Sequence, residues 1–111
     1  MSSKLDIARD LVSKNKFFQL TAAWCPDCVY TYRIYDKFGI KSKFAFFDVA
    51  DLDRRSREYQ EYRDAFTKVA GGVTNLPTVF VNGKFWATEA EFLKWEKNGT
   101  LEQEFKKVGL L

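Results

Sequence analysis

Cys25 and Cys28 are the only cysteines of this 111-residue chain, and they close the run Thr21-Ala22-Ala23-Trp24-Cys25-Pro26-Asp27-Cys28. An apolar segment, Phe17-Phe18-Gln19-Leu20, leads into the run and a helical pattern leads out of it. A strand, a tight turn and a helix are therefore expected in succession, with Cys25 at the helix start and Cys28 one turn later. The first turn of a helix carries unpaired N–H groups and a partial positive charge, both of which favour a thiolate. In that setting a Cys-x-x-Cys pair is a dithiol redox device. Zinc would need two further ligands, and the chain has no histidine and no third cysteine, so no metal site is expected. A protease-type Cys–His pair is excluded for the same reason. A structural staple across so short a loop would add little stability.

Around this turn the chain reads as alternating helices and strands. Ser3 can cap a first helix with Leu5, Ala8, Leu11 and Val12 on one face, fading near Asn15. Lys16–Thr21 reads as a buried strand. Val29–Phe38 continues the helix from the cysteine turn, with Val29, Tyr32, Ile34, Tyr35 and Phe38 as core contacts and Gly39 as its stop. The second strand, Lys43–Val49, is apolar enough to suggest burial on both faces, as in a helix-covered parallel sheet. A long polar helix is expected over Asp51–Ala70, its core side formed by Tyr59, Tyr62, Phe66 and Val69 and its end by Gly71-Gly72. Thr78–Val81 and Lys84–Ala87 flank Asn82-Gly83, the signature of a hairpin with a type I′ turn. Thr88-Glu89-Ala90-Glu91 is a capping box for the next helix, and Thr100–Gln103 reads as a second box opening a short final one. The order α-β-α-β-α-β-β-α-α contains no repeat and no linker, so residues 1–111 are expected to form one domain.

Composition sets limits on partners and place. Apolar residues make up 46% and aromatics 17% of the chain, which suits a filled core. No apolar run approaches the length of a bilayer span. Met1-Ser2-Ser3-Lys4-Leu5-Asp6 has no hydrophobic signal region, so the cytoplasm is the expected compartment, where such a pair is kept reducible. The net charge of +3 does not point to nucleic acid. Arg54-Arg55-Ser56-Arg57, set among acids, reads as a solvated helix start. Asn98-Gly99-Thr100 matches a glycosylation acceptor but reads as a helix-breaking turn.

A second motif completes the pattern. Leu76-Pro77-Thr78 places a proline at the entrance of the third strand, where its missing N–H is tolerated. Trp24-Cys25-Pro26-Asp27-Cys28, Asn75-Leu76-Pro77-Thr78-Val79-Phe80-Val81-Asn82-Gly83-Lys84 and the element order together resemble the thioredoxin superfamily and, within it, the glutaredoxins, from Lys16 onward. The resemblance implies a thioredoxin-like, glutaredoxin-type α/β fold of three layers, with a central four-stranded mixed sheet flanked by helices. It implies a cis peptide before Pro77, and a role for Leu76 and Pro77 in presenting backbone to the cysteinyl part of glutathione. The chemistry it implies is a thiol–disulfide exchange in which Cys25 attacks and Cys28 resolves. Trp24, Pro26 and Asp27 would shape the turn. Glutathione would be a co-substrate rather than a bound cofactor. Disulfide-containing or glutathionylated proteins would be the partners of a monomer, with no nucleic acid or membrane involved.

The departures from the family pattern matter as well. Its Gly-Gly aligns with Ala87-Thr88, its acidic residue with Glu91, and its lysine before the first cysteine with Ala22. Thr88 and Glu91 are then the residues at the γ-glutamyl end, although Glu91 also fits the capping box. Lys16 and Lys84 are candidates for the missing cation. Weak activity on glutathione is the expectation. Trp24 and Asp27 also resemble a thioredoxin-related group, which leaves open a reductant recharged by a flavoprotein reductase. Two further readings are a non-catalytic protein holding an iron–sulfur cluster with glutathione, and a scaffold without redox activity.

Overall fold

A computed structural model of the chain describes residues 3–111; Met1 and Ser2, which enter the N-terminal reading above, lie outside the described residues. Helix α1 spans Lys4–Lys14 and begins at Ser3, whose side chain accepts from the amide of Asp6 while the Asp6 carboxylate accepts from that of Ser3. Strand β1 is Phe17–Thr21, α2 is Pro26–Phe38, β2 is Ala45–Asp48 and α3 is Arg57–Val69. Then follow β3 (Thr78–Val81), β4 (Lys84–Ala87), α4 (Glu89–Asn98) and α5 (Leu101–Lys107). The sheet order is β2-β1-β3-β4, with β1 parallel to β2 and antiparallel to β3, and β3 antiparallel to β4. This is the four-stranded mixed sheet that the resemblance implies.

The two-residue period of a strand divides the core into two layers. Phe18, Leu20 and Phe80 point to one face, where they meet Ala8, Val12 and Phe66 of α1 and α3. Phe17, Val79 and Val81 point to the other, against Ile34, Tyr35, Phe92 and Phe105 of α2, α4 and α5. Gln19 lies on this second face and is fully buried. Its amide carbonyl accepts from the Tyr35 hydroxyl at 2.6 Å, and its NH2 group donates to Thr31 at 2.9 Å. Thr31 in turn donates to the Cys28 carbonyl at 2.7 Å, so the sheet centre is tied to the first turn of α2.

Three expectations need correction. β2 is not buried on both faces: it is an edge strand, and all four of its residues are only partly buried. The inner strands β1 and β3 take the full burial. The third helix starts at Arg57, not Asp51, because acids and serines of the preceding segment bind local backbone instead of continuing a helix. Asp48 accepts from the amide of Ala50, opening a 3₁₀ turn over Val49–Asp51. Asp53 then accepts from the amide of Arg55, and Ser56 caps α3 through the amide of Tyr59. Finally, Thr100 forms no side-chain cap, since its hydroxyl donates to the Trp95 carbonyl. Asn98-Gly99-Thr100 is indeed the end of a helix, with Gly99 in the left-handed region.

The hairpin and the first capping box take the form expected of them. Asn82 and Gly83 have φ of 53° and 82°, as a type I′ turn requires. Thr88 and Glu91 bond reciprocally across the start of α4. No helix of the described residues is long and apolar enough to cross a membrane.

Candidate active site

The strand directions bring three turns to one end of the sheet. β1 ends at Thr21, which pairs with Asp48 at the end of β2. Leu20 pairs with Thr78 at the start of β3, and Val79 with Ala87 at the end of β4. The cysteine turn, the segment before Pro77 and the start of α4 therefore share this end. Lys16 and Lys84 do not: Lys16 precedes β1, and Lys84 pairs with Val81 opposite Phe17. They stand at the far end of the sheet and are not substitutes for a cation beside the cysteines.

Cys25 occupies the N-cap position of α2 and Pro26 the first position inside it, where the absent N–H costs no hydrogen bond. The amide of Cys25 donates to the Ala22 carbonyl at 2.9 Å and closes the turn. Both cysteines are free thiols. Cys25 is 8% exposed, whereas Cys28 is fully buried. Burial pushes the Cys28 thiol up to about 12, assisted by the neighbouring Cys25; hydrogen bonds from Thr21 and the Ala22 amide oppose the shift without cancelling it. The Ala22 amide lies 3.4 Å from the Cys28 sulfur. Burial likewise raises the hydroxyl of Tyr32, which bonds Thr21.

Pro77 follows a cis peptide bond, as the resemblance implies. It is buried, while Leu76 is partly exposed. The Cys25 thiol donates to the Leu76 carbonyl at 3.6 Å, so the segment before Pro77 lies directly against the outer sulfur. Thr78 holds this segment by donating to the Asn75 carbonyl. Asn75 also donates to Glu89, in the first turn of α4, at 3.4 Å.

The remaining residues singled out in the sequence fall around this centre with different surroundings. Asp27 and Pro26 are exposed. Trp24 is 41% exposed and forms part of the surface next to Cys25, not part of the core. Thr88 is buried, and its amide and hydroxyl both donate to Glu91 at 3.2 Å, so the Glu91 carboxylate is engaged in the helix cap. Ala22 and Ala87 are fully buried.

Two contributors are not read from the sequence as part of the site: Asp48, and Arg54, which reads there only as part of a solvated helix start. The Asp48 carboxylate accepts from the amide of Ala23 at 3.1 Å and from that of Ala50 at 2.9 Å, pinning the cysteine turn to the segment after β2. Its position at the end of an apolar run was the available signal, but it reads there as a strand residue. Arg54 lies on the Trp24 indole, its guanidinium carbon 3.9 Å from the ring centroid. Thirty residues separate the two in sequence, so no local pattern links them. Among the described residues, no group of three or more His, Cys, Asp or Glu side chains could hold a metal ion. The arrangement is one thiol with slight exposure, a second and fully buried thiol one helical turn on, and a partly exposed Leu76 whose carbonyl lies against the first.

A family model for glutaredoxin matches residues 11–86. The chain is 45% identical over 111 residues to glutaredoxin-8 of Saccharomyces cerevisiae, covering 100% of this chain and 99% of that protein. It is similar to the solution structure of yeast dithiol glutaredoxin Grx8, with a TM-score of 0.87 over 100% of this chain and 99% of the other. The crystal structure of a buckwheat glutaredoxin–glutathione complex shares the fold at 18% identity and a TM-score of 0.72, over 97% of this chain and 92% of the other.

Proposed function

The chain belongs to the glutaredoxin family and is a thiol–disulfide oxidoreductase, and from that premise we propose that it reduces protein or glutathione mixed disulfides with electrons drawn from glutathione. The whole of residues 1–111 serves this function as one domain. Cys25 is the attacking sulfur: its thiolate forms a bond to one sulfur of the substrate disulfide, the substrate S–S bond breaks, and the departing thiolate takes up a proton. Either of two steps clears the resulting mixed disulfide. Glutathione thiolate attacks it, giving a glutathione disulfide and free Cys25, or Cys28 gives up its proton and attacks, forming the Cys25–Cys28 disulfide. Two glutathione molecules then reduce that disulfide and leave as glutathione disulfide.

The single observation carrying this reading is the contact of Cys25 with the Leu76 carbonyl beside cis Pro77. It supports a substrate laid along the Leu76 backbone with its own sulfur presented to Cys25. Trp24, Pro26 and Asp27 form the near wall, and Thr88 and Glu91 border the far end. Activity on glutathione is weak in this reading, because Thr88, held in the cap of α4 by Glu91, stands where bare backbone would admit the γ-glutamyl end. Replacing Ala87 and Thr88 together by glycine is expected to raise kcat/KM for a glutathione mixed disulfide several-fold. An unchanged value would remove that explanation.

The electron donor has its own test. The Cys25–Cys28 disulfide should be reduced by glutathione with glutathione reductase faster than by a thioredoxin reductase from the same source. The reverse order would favour the thioredoxin-like reading, to which Trp24 and Asp27 lend support.

A further inference from the structure

Arg54 brings a positive charge to the rim of the cysteine turn. Its guanidinium rests on the ring of the exposed Trp24, the residue immediately before Cys25. Two anchors hold the parts together: Asp48 ties the amide of Ala23 to that of Ala50, and Asp53 turns the chain by accepting from the amide of Arg55. Those two carboxylates are thus directed at backbone. Among the described residues the ion pairs are Lys14–Asp10 and Lys107–Glu104, and Arg54 belongs to neither. None of its side-chain N–H groups donates to a protein acceptor among the hydrogen bonds of the described residues, so the fork remains free for a ligand. The stacking orients the group without neutralising it.

We propose that Arg54, held on Trp24, is a specificity-determining residue that favours disulfides carrying a carboxylate beside the attacked sulfur. This rests on Cys25 as the attacking sulfur. A carboxylate suits the geometry because a guanidinium can pair with it through two parallel N–H groups. Such a carboxylate is supplied by an acidic residue flanking a protein cysteine, or by a C-terminal carboxylate one residue after it. The exposed setting limits the effect to a few-fold at low ionic strength, and salt should remove it.

The test compares alkylation of Cys25 by iodoacetate and by iodoacetamide, reagents that differ in carrying a carboxylate or a neutral amide next to the reacting carbon. In each case the sulfur–carbon bond forms and iodide leaves. Taking the ratio of the two rates cancels any change in the reactivity of the sulfur itself. The expected ratio is roughly threefold lower in Arg54→Gln than in wild type and lower still in Arg54→Glu, with Arg54→Lys in between; at about 1 M salt the differences collapse. Equal ratios in wild type and Arg54→Gln, or a difference that survives high salt, would overturn the proposal. A second arm measures kcat/KM for a mixed disulfide of glutathione and for its counterpart with a C-terminal amide. Arg54→Gln should lose the preference for the carboxylate form, and a preference that it keeps would overturn the assignment. Should wild type turn over neither compound, the glutathione reading fails, while the alkylation ratio still decides the role of Arg54.

Discussion

Burial separates the properties of the two sulfurs. Cys25 reaches the surface beside Leu76, while Cys28 is enclosed and holds its proton well above the usual thiol range, at about 12. Alkylation of the reduced protein at neutral pH should therefore modify Cys25 first, with Cys28 at least tenfold slower. Peptide mass spectrometry that finds both modified at similar rates would contradict this. The same burial makes a statement about stability. The folded state keeps the Cys28 proton where an unfolded chain loses it near pH 9.0, so the contribution is complete below that pH and is lost as pH rises toward 12. Burial raises the hydroxyls of Tyr32 and Tyr35 in the same sense. Tm is expected to fall above pH 9, and to fall less steeply in Cys28→Ala; parallel curves for the two proteins would assign the slope to the tyrosines alone.

At the scale of elements, polar side chains set the boundaries and the joints. Gln19 joins β1 to α2 through Tyr35 and Thr31, wholly inside the core. Gln19→Ala leaves the Tyr35 hydroxyl without its acceptor and Thr31 without the donor it accepts from, and should cost about 2–4 kcal/mol, read by urea denaturation. Asp48→Ala should cost about 1–2 kcal/mol and speed hydrogen exchange at the amides of Ala23 and Ala50; protection that stays unchanged would show that the turn does not depend on it. Elements whose signals are local were legible in the sequence: the capping pair at Thr88 and Glu91, the Asn82-Gly83 turn and the cysteine turn at the start of α2. The start of α3 was not, because Asp48, Asp53 and Ser56 can each serve a helix or a turn and the choice is made by competing backbone bonds. The edge position of β2 was hidden as well, since Phe46 and Phe47 look the same in an inner and an outer strand.

Across the whole molecule, a sheet with helices on both faces buries two layers of aromatic side chains and leaves one end for chemistry. Phe92 sits fully buried between Tyr35, Trp86 and Phe105, and Phe92→Ala should cost about 3–5 kcal/mol, read by urea denaturation. The centre of that site could be read from the sequence because Cys25, Cys28 and Pro77 carry their meaning in residue type and local context. Its rim could not. Arg54 and Asp48 act on the turn from another segment, and only the pairing of β1 with β2 brings that segment close; Lys16 and Lys84, plausible by type, are carried away by the same strands. The central claim is that Cys25 attacks and glutathione supplies the electrons. Its most direct test is reduction of a glutathione mixed disulfide by wild type, Cys25→Ser and Cys28→Ser, coupled to glutathione and glutathione reductase. The account expects activity in wild type, none in Cys25→Ser and retained turnover in Cys28→Ser; turnover that survives in Cys25→Ser, or none in wild type, would contradict it.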